Sequence, residues 1–438
     1  MGALPTRAMT RADHAWLRMD RPENLMVIHL ALVFSAYLSR GDVREKLQSR
    51  LTLHHQFTHR VEHHWLRAQW VPDAAFSVDR HFDELHLPPG SGTTELKAWM
   101  SGEACKPFAN DRPLWKATLV HEVGGRSALV MRVHHSLADG VSLMDLISRM
   151  TDVAPGAQYV RPALTSEREG LSVSVLLRRM SRVLADALRI LFMRKDRNNK
   201  LKGSPGRKKS IAWSDALSLA ATREIAHRHS ATVNDVMLAV ITGTLRRYLR
   251  AQGQADLAAP LRASIPINLR PRGDMYLLGN QFGIVALELP VHLADPLQRL
   301  HTVRDAMTVL KHGFQGQLAL ALMRGADLLP LYLHQLLLGI FSRRGTAVVT
   351  NVIGPAEARS IAGVRIDEMM LCVPQGMTLG VGVSIISYNG SVRVGFLVDN
   401  NLMADCTAVA ASIRDDFEEL WRRLFAADHC GAGVYTGT

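Results

Sequence analysis

The sequence predicts a mixed α/β protein with two domains. The chain has 438 residues, which is more than a single hydrophobic core usually holds. Strand and helix signals occur in comparable number up to about residue 160, and the mixed pattern returns from residue 211 onward. Because the strands do not alternate regularly with helices, mixed sheets are favoured over a doubly wound parallel sheet. The composition is 47% hydrophobic and 21% charged, so enough apolar side chains are available for two cores.

Three zones follow one another along the chain. We predict an N-terminal domain over residues 1–160, a basic connector over residues 161–210 and a C-terminal domain over residues 211–438. Pro155, Gly156 and Pro162 open the connector, and a Gly-Ser-Pro-Gly run closes it. Residues 178–209 carry twelve Lys and Arg against two acids, so nearly all of the net charge of +12 lies in this segment.

The connector allows two interpretations. Apolar residues follow a helical spacing between Val173 and Leu191. Four arginines lie off that stripe: Arg178, Arg179, Arg182 and Arg189. A basic amphipathic helix of this kind can lie in a membrane interface, where anionic headgroups and apolar burial act together. The alternative is a crossover helix packed on the protein, followed by a basic loop. A nucleic-acid partner is not expected, because one aromatic residue and no nucleic-acid motif accompany the charge.

Two hairpins are the clearest local predictions. The strand-like runs 114–122 and 127–134 are joined by Gly124-Gly125, which favours a tight turn. Near the end of the chain, the runs 381–387 and 391–398 are joined by Asn389-Gly390, the strongest short hairpin signal.

Helical spacing of apolar residues predicts a helix after Gly140 and another over residues 234–250. The most apolar window, residues 318–341, is interrupted by four residues: Arg324, Asp327, Pro330 and His334. It is therefore predicted to be a buried helix with a kink and not a membrane span, which needs a longer uncharged stretch.

Cysteine usage and the N-terminus predict a cytoplasmic protein. The four cysteines lie far apart and form no C-x-x-C pair, which argues for a reducing compartment and against a disulfide scaffold or zinc site. The first sixteen residues contain charges and lack the apolar stretch of a secretory signal.

The chemistry is predicted to lie in the run His134-His135-Ser136-Leu137-Ala138-Asp139-Gly140, where the first hairpin ends. Neighbouring side chains of a strand point to opposite faces, so His134 and His135 are not expected to bind one metal. The same divergence weakens a catalytic pair of Ser136 with His135. A single histidine at a strand end suits a general base, because imidazole titrates near neutral pH and can accept a hydroxyl proton. The structural alternative, in which both histidines are packed or solvated, is the common case for such pairs.

The last two residues of this run, Asp139 and Gly140, are predicted to have structural roles. Asp139 is predicted either to cap the following helix or to pair with an arginine that braces the loop. Gly140 is predicted to let the chain turn.

A second group of histidines lies earlier in the chain: His54, His55, His59, His63 and His64. His55, His59 and His63 would share one face of a helix and could bind zinc. No carboxylate or cysteine completes the set, so no metal is expected there.

The run that contains both histidines matches the HHxxxDG signature of the coenzyme A-dependent acyltransferase superfamily, which includes chloramphenicol acetyltransferase and nonribosomal peptide condensation domains. Within it, the chain resembles bacterial wax ester synthase/diacylglycerol acyltransferases. Further segments follow in the order of that family, at 22–26, Arg112-Pro113-Leu114-Trp115, Asn234-Asp235, 266–270, 279–282 and 350–355, before the terminal hairpin. Because these segments span almost the whole chain, the resemblance is specific.

The resemblance implies two chloramphenicol acetyltransferase-like domains, each a mixed sheet flanked by helices, with an active-site tunnel between them. It implies that His135 is the base within a catalytic motif completed by His134, Asp139 and Gly140. Four residues would contact substrate: Asn234, Asp235, Thr350 and Asn351. For Asn234 and Asp235, capping of a helix is the rival role.

The implied reaction transfers a long-chain acyl group from acyl-CoA, a co-substrate, to a fatty alcohol or diacylglycerol. No bound cofactor or metal is needed, and peripheral association with a membrane or lipid body is expected. Two other functions stay open: condensation on a polyketide or peptidyl hydroxyl or amine, and non-catalytic lipid binding. Gly283 and Asn268 depart from the family pattern, in which serine is more usual at both positions.

Overall fold

The computed structural model of the chain describes residues 5–64, 67–156, 186, 196, 199–254, 257–270 and 278–425. The predicted connector helix, with Arg178, Arg179, Arg182 and Arg189, lies outside the described residues. Both interpretations of that helix therefore stay predictions.

The strands are, in chain order, β1 Arg7–Ala8, β2 Val27–Phe34, β3 His59–His64, β4 Arg67–Pro72, β5 Phe82–His86, β6 Trp115–His121, β7 Ala128–His134, β8 Asp152–Val153, β9 Lys209–Trp213, β10 Leu217–Ser218, β11 Leu261–Asn268, β12 Phe282–Leu289, β13 Ala347–Ile353, β14 Arg359–Ile361, β15 Val364–Cys372, β16 Val381–Tyr388 and β17 Ser391–Asp399. The α-helices of the described ranges are α1 Arg11–Met19, α2 Arg40–Arg50, α3 Thr93–Ala104, α4 Gly140–Met150, α5 Leu219–Arg228, α6 Val233–Ala251, α7 Pro296–Lys311, α8 Gln315–Ala326, α9 Leu331–Ser342 and α10 Cys406–Phe425.

The first large sheet has seven strands in the order β5-β6-β7-β2-β15-β14-β8. Its pairs are antiparallel except for β5 with β6, which run parallel. Strand β2 is buried along its whole length, as its unbroken apolar sequence around one histidine requires of a central strand covered on both faces.

The second large sheet has the order β10-β17-β16-β13-β11-β12, and β9 pairs with β17 beside β10. Strand β13 runs parallel to both β11 and β16, while the outer pairs are antiparallel. Each large sheet has its own cluster of buried apolar side chains. The prediction of two mixed sheets flanked by helices is therefore confirmed.

Both predicted hairpins are present. Strands β6 and β7 pair across a turn in which Gly124 and Gly125 have positive φ angles of 63° and 71°. Strands β16 and β17 pair across Asn389 and Gly390, with φ angles of 43° and 75°. Positive φ at both central residues is the reason that Asn-Gly and Gly-Gly sequences favour such turns.

Strand β15 joins the two halves of the chain. It lies within residues 211–438 of the sequence, yet it pairs with β2 of the first sheet, with Ile366 opposite Phe34 and Cys372 opposite His29. The linear domain boundaries stay a prediction, and β15, from the second half of the chain, belongs to the first sheet.

A buried ion pair adds a second link between distant segments. The ammonium of Lys209 donates to the carboxylate of Asp399 at 2.6 Å and to Oδ1 of Asn24 at 3.0 Å. The amide of Asn24 donates in turn to the backbone oxygen of Met377 at 2.7 Å. Since a buried charge is tolerated when it is paired and hydrogen-bonded, this network fixes the segment that the resemblance had pointed out at residues 22–26.

For the most apolar window, the prediction of one buried, kinked helix was wrong. Residues 318–341 form parts of two helices, α8 and α9, which are separated near Pro330. Proline lacks a backbone N–H and fixes φ, so it starts α9 and does not kink one continuous helix. Helix α9 is also partly buried and not fully so: His334 is its buried residue, while Leu331, Tyr332, Leu336 and Ile340 are exposed. No helix in the described ranges is both long enough and apolar enough to cross a membrane.

Candidate active site

His135 follows the end of β7, and its imidazole is held by a side-chain amide. The backbone N–H of His135 donates to the oxygen of Met26 at 2.7 Å, which continues the pairing of β7 with β2. Its Nδ1 lies 3.0 Å from Oδ1 of Asn280, in the loop before β12. The ring is buried and lines a cavity.

The orientation of the Asn280 amide fixes the tautomer of His135. The Nδ2 group of Asn280 donates to the carboxylate of Asp13 and to the backbone oxygen of His135, each at 2.8 Å. A flipped amide would place its oxygen against these two acceptors, so the amide oxygen must face Nδ1. Nδ1 therefore carries the proton, and Nε2 is left as the basic nitrogen.

Asp13 anchors this arrangement from α1. Its carboxylate also accepts the backbone N–H of Asn280 at 2.9 Å and the hydroxyl of Thr10 at 2.6 Å. Burial raises the pKa of Asp13 to about 6, against the opposing effect of these hydrogen bonds. The series Thr10, Asp13, Asn280 and His135 thus connects the start of α1 to the imidazole.

Aromatic rings enclose the imidazole. The indole of Trp16 stacks on it with ring centroids 4.1 Å apart, and the ring of Phe282 lies at 5.7 Å. Burial lowers the pKa of His135 to about 4, and the nearby Asp139 carboxylate opposes that shift. His135 is therefore neutral at physiological pH, as a general base must be.

His134 is directed elsewhere, as the strand alternation predicts. Its Nδ1 accepts the backbone N–H of Ser136 at 3.1 Å and lies 2.8 Å from the Ser136 hydroxyl. Its Nε2 lies 3.8 Å from the Asp20 carboxylate. Ser136 therefore contacts His134 and not His135, and His134 is absent from the described cavity lining.

Asp139 fulfils both of its predicted structural roles. Its carboxylate accepts the backbone N–H of Ser142 at 3.0 Å and so caps α4. The other carboxylate oxygen lies 2.6 Å from Nη1 of Arg270, whose side chain is buried. Arg270 also donates to the backbone oxygen of Gly279, so Asp139 is braced against the loop that carries Asn280.

The predicted reason for glycine at position 140 was wrong. Gly140 is the first residue of α4 and is not among the glycines with positive φ. A Cβ at this position would come within 2.9 Å of the Val352 side chain. The glycine therefore permits close approach of α4 to β13, and the turn itself does not require it.

The cavity beside His135 has a volume of about 280 Å³ and is lined from both halves of the chain. Trp16, Met19, His135 and residues 139–141 contribute from one side, and strands β11–β13 with helices α8 and α9 contribute from the other. Along β11 the lining extends from Asn268 to Arg262, which corresponds to about 20 Å of extended strand. The predicted tunnel thus has a counterpart in a long, mostly apolar cavity.

The structure brings only part of the predicted substrate-binding set to this cavity. Thr350 and Asn351 line it, on β13. Asn234 and Asp235 do not, and Asp235 instead forms a capping box with Thr232 at the start of α6. The capping alternative is thus observed for Asp235, and substrate contacts of Asn234 and Asp235 find no support in this arrangement.

The sequence did not reveal several residues around His135: Asp13, Trp16, Asn280 as the partner of Nδ1, and Arg270 as the partner of Asp139. The resemblance had marked the segments that contain Asn280 and Arg270 without assigning these contacts. For α1, a signal was available, since Thr10 and Asp13 have the spacing of a helix cap. It predicts a helix start and not the contact with Asn280.

One departure from the family pattern has a packing reason. A Cβ on Gly283 would lie 1.9 Å from the backbone oxygen of Gly316. Glycine at position 283 therefore allows the backbone of α8 to pack directly against the backbone of β12. Asn268, the other departure, lines the cavity and accepts the backbone N–H of Arg270 at 3.1 Å.

The early histidine group does not share a helix face. His59 and His63 lie on strand β3, and His55 lies in a short 3₁₀ turn. Among the described residues, a different trio has side chains close enough to hold a metal ion: Glu84, His86 and His121.

Comparison with known families gives two matches that together span most of the chain. Residues 9–211 match the wax ester synthase/diacylglycerol acyltransferase catalytic domain, and residues 278–421 match the C-terminal domain of the same family. The first match contains His135 and Asp139, and the second contains the lining residues of β12, β13, α8 and α9.

Individual relatives agree with this assignment. A Mycobacterium tuberculosis protein described as a diacylglycerol O-acyltransferase is 27% identical over 372 residues, which cover 79% of this chain and 80% of the relative. Another from the same organism, described likewise, is 30% identical over 400 residues, covering 81% and 75%.

Solved structures share the fold. The wax ester synthase/diacylglycerol acyltransferase from Marinobacter aquaeolei VT8 superimposes with a TM-score of 0.71 at 20% identity, covering 95% of this chain and 99% of that one. The first condensation domain of the calcium-dependent antibiotic synthetase gives a TM-score of 0.64 at 17% identity, covering 96% and 97%.

Proposed function

The chain belongs to the wax ester synthase/diacylglycerol acyltransferase family, and from this premise we propose how it works as an acyltransferase. It transfers a long-chain fatty acyl group from acyl-CoA to a fatty alcohol or a diacylglycerol. The products are a wax ester or a triacylglycerol.

The observation that carries the mechanism is the contact of His135 Nδ1 with Oδ1 of Asn280 at 3.0 Å. The amide accepts the Nδ1 proton, so the unprotonated nitrogen is Nε2 of a ring that lines the cavity. A buried, neutral imidazole with one fixed tautomer is what a general base for a hydroxyl group requires.

The reaction follows in two steps. Nε2 of His135 accepts the proton of the acceptor hydroxyl as its oxygen forms a bond to the carbonyl carbon of the thioester. The tetrahedral intermediate then collapses, the carbon–sulfur bond breaks, and the imidazolium returns its proton to the sulfur of coenzyme A. A thioester is already activated, so no covalent acyl-enzyme is needed.

Asp139 stabilises the charge that the base gains. Burial disfavours the imidazolium, while the Asp139 carboxylate favours it and is itself held by Arg270 at 2.6 Å. Thr350 and Asn351 are the polar residues of β13 in the cavity lining, and we assign them to substrate contact.

The apolar part of the cavity matches the acyl chain and the lipophilic acceptor in polarity. Its lining includes Leu320, Met323, Leu338 and Phe341 from helices α8 and α9. Since such substrates and products do not dissolve in water, we propose that the protein works in peripheral contact with a membrane or lipid-body surface.

A condensation reaction on a peptidyl or polyketide substrate has weaker support. The condensation domain resembles this chain at 17% identity, a level that concerns the fold, whereas the sequence relatives described as diacylglycerol O-acyltransferases reach 27–30%. Non-catalytic lipid binding is also less supported, because the base and its hydrogen-bonded neighbours are intact.

The test is acyl transfer by the purified chain from labelled palmitoyl-CoA to hexadecanol, dioleoylglycerol and hexadecylamine, with products identified by mass. We expect the wax ester, the triacylglycerol or both, with release of free coenzyme A. An amide as the main product would favour the condensation-type alternative, and absence of any acyl product would contradict the proposed activity.

A further inference from the structure

Helices α8 and α9 and the segment between them expose a set of large apolar side chains: Leu322, Leu328, Leu331, Tyr332, Leu336 and Ile340. Tyr332 is 69% exposed and Leu336 is 59% exposed. Single apolar residues on a surface are normal, but a contiguous group marks a site of interaction with a protein or a membrane. We define these six residues as the apolar face.

Within α9, three residues of the apolar face lie on the side away from the cavity. Tyr332, Leu336 and Ile340 are spaced four residues apart, so they form one stripe along the helix. Leu337, Leu338 and Phe341 line the cavity instead. Helix α9 is thus a wall one helix thick, with apolar side chains both toward the substrate site and toward the surroundings.

A depression also lies between α8 and α9. It is lined by apolar residues and glycine, among them Leu318, Leu322 and Leu337. Leu322 and Leu337 also line the cavity beside His135. Leu322 and Leu337 therefore separate an apolar molecule bound at the depression from the cavity, and both side chains are apolar.

The charges around the apolar face favour an anionic surface. Between Gly313 and Gly345 the sequence has a single acid, Asp327. That carboxylate is buried and lies 2.8 Å from His14 and 3.2 Å from Arg11 of α1. The exposed charged residues on these two helices and their ends are cations, Arg324 and Arg343. Apolar side chains bordered by cations fit the boundary between anionic headgroups and acyl chains.

We propose that the apolar face of α8 and α9 docks on a phospholipid bilayer surface that contains anionic lipid. Its side chains enter the boundary between headgroups and acyl chains, and a lipid acceptor reaches the cavity between α8 and α9 without crossing water. The entry of an acceptor rests on the proposed function, whereas the docking itself is measured without turnover.

The test uses the full chain and vesicles of phosphatidylcholine with or without 30% phosphatidylglycerol, about a third of the lipid being anionic to give a strong surface potential. Partition onto the vesicles is measured by flotation for the wild type and for the double variant Leu331→Gln/Leu336→Gln, called the α9 variant. Glutamine keeps helix propensity while it removes apolar contact. The matched control is Leu53→Gln/Val153→Gln, which changes two exposed apolar residues far from these helices in the sequence.

We expect the wild type and the control to bind the anionic vesicles, and the α9 variant to bind them at least about tenfold more weakly. Transfer between short, water-soluble substrates should stay unchanged in all three proteins. Unchanged partition of the α9 variant would overturn the proposal. The proposal would also be overturned if analytical ultracentrifugation showed a dimeric wild type and a monomeric variant, since a second copy of the chain would then cover the apolar face.

A drop in the melting temperature of the α9 variant with unchanged partition would also overturn it, because a segment of this chain would then cover the face. Failure of the proposed function gives a different result: vesicle binding with the expected pattern, but no acyl product from any acceptor.

Discussion

The indole of Trp16 lies flat on the imidazole of His135, with ring centroids 4.1 Å apart and the ring planes inclined by 9°. The contact removes one face of the imidazole from water. Because burial is the main cause that lowers the pKa of His135 to about 4, a residue of the first helix helps to set the proton affinity of this imidazole.

Trp16→Ala should therefore raise the pKa of His135 toward its ordinary value of 6.5. The acid limb of the pH profile of kcat/KM should move upward by about one pH unit or more, while Trp16→Phe keeps a stacked ring and stays near the wild type. Profiles between pH 4 and 8 with short, soluble substrates measure this. An unchanged limb in Trp16→Ala would mean that the indole only fills space.

His135→Ala should lower kcat by about 10²–10⁴-fold, the usual value of general-base assistance, with little change in acyl-CoA binding. The base acts on the acceptor proton, so donor affinity, measured by titration calorimetry, should persist. His134→Ala is the matched control, because that ring contacts Ser136 and is absent from the described cavity lining. It should lose stability more than turnover. Full activity of His135→Ala would contradict the mechanism.

Two buried groups should give the pH dependence of stability opposite signs. The pKa of His135 is lowered from 6.5 to about 4 by burial, so the unfolded chain binds the proton first and stability falls as the pH drops through that window. The pKa of Asp13 is raised from 3.8 to about 6 by burial, so its contribution runs the other way and is lost as the pH rises toward 6.

Asp13→Asn removes the second contribution. The free energy of unfolding of this variant should fall more steeply than that of the wild type between pH 6 and pH 4, by up to about 1.4 kcal/mol per pH unit. Urea unfolding at several pH values measures the slope, with the exposed Glu418→Gln as control. Equal slopes for Asp13→Asn and the wild type would show that Asp13 titrates normally.

Asp139→Ala should destabilise the fold by about 3–5 kcal/mol, because it leaves the buried guanidinium of Arg270 without its carboxylate and α4 without its cap. Asp145→Ala is the comparison on the same helix, since it breaks an exposed pair with Arg149 and should cost less than about 1 kcal/mol. Denaturant unfolding distinguishes the two. A stable Asp139→Ala protein with only a shifted pH–rate profile would instead show that Asp139 acts on the charge of His135 and does not stabilise the fold.

Gly283→Ala should be destabilising by about 1–3 kcal/mol or more, because its Cβ would overlap the backbone of Gly316 and push α8 away from β12. Gly316→Ala is the reciprocal control. Its Cβ meets nothing closer than 3.6 Å, so its stability should change by less than about 1 kcal/mol. Melting temperatures of the two variants give the comparison, and equal effects would refute the packing explanation for Gly283.

The parts of the site that are continuous in sequence could be predicted. The hairpin of β6 and β7, the divergence of His134 and His135 and the cap at Asp139 each depend on neighbours along the chain. Local geometry dictates these contacts, so residue spacing was enough.

The contacts of His135 with distant parts of the chain could not be predicted in this way. Asp13, Trp16 and Asn280 come from a helix near the N-terminus and from a loop in the second half, and they meet His135 only after the sheets have assembled. The prediction of a buried helix over residues 318–341 was wrong for a related reason. An apolar sequence predicts burial, but helix α9 borders a cavity on one side and is exposed on the other.

The pairing of β15 with β2 places a constraint on synthesis. Phe34 pairs with Ile366, which is synthesised more than 300 residues later, so this edge of β2 stays unpaired until then. At a translation rate of about 5–20 residues per second, the interval is roughly 15–70 s. During that time the nascent chain presents a long, apolar strand with one unpaired edge, which can template aggregation. A fragment that ends before β15 would keep this edge permanently, because the first sheet needs strands from both halves of the chain.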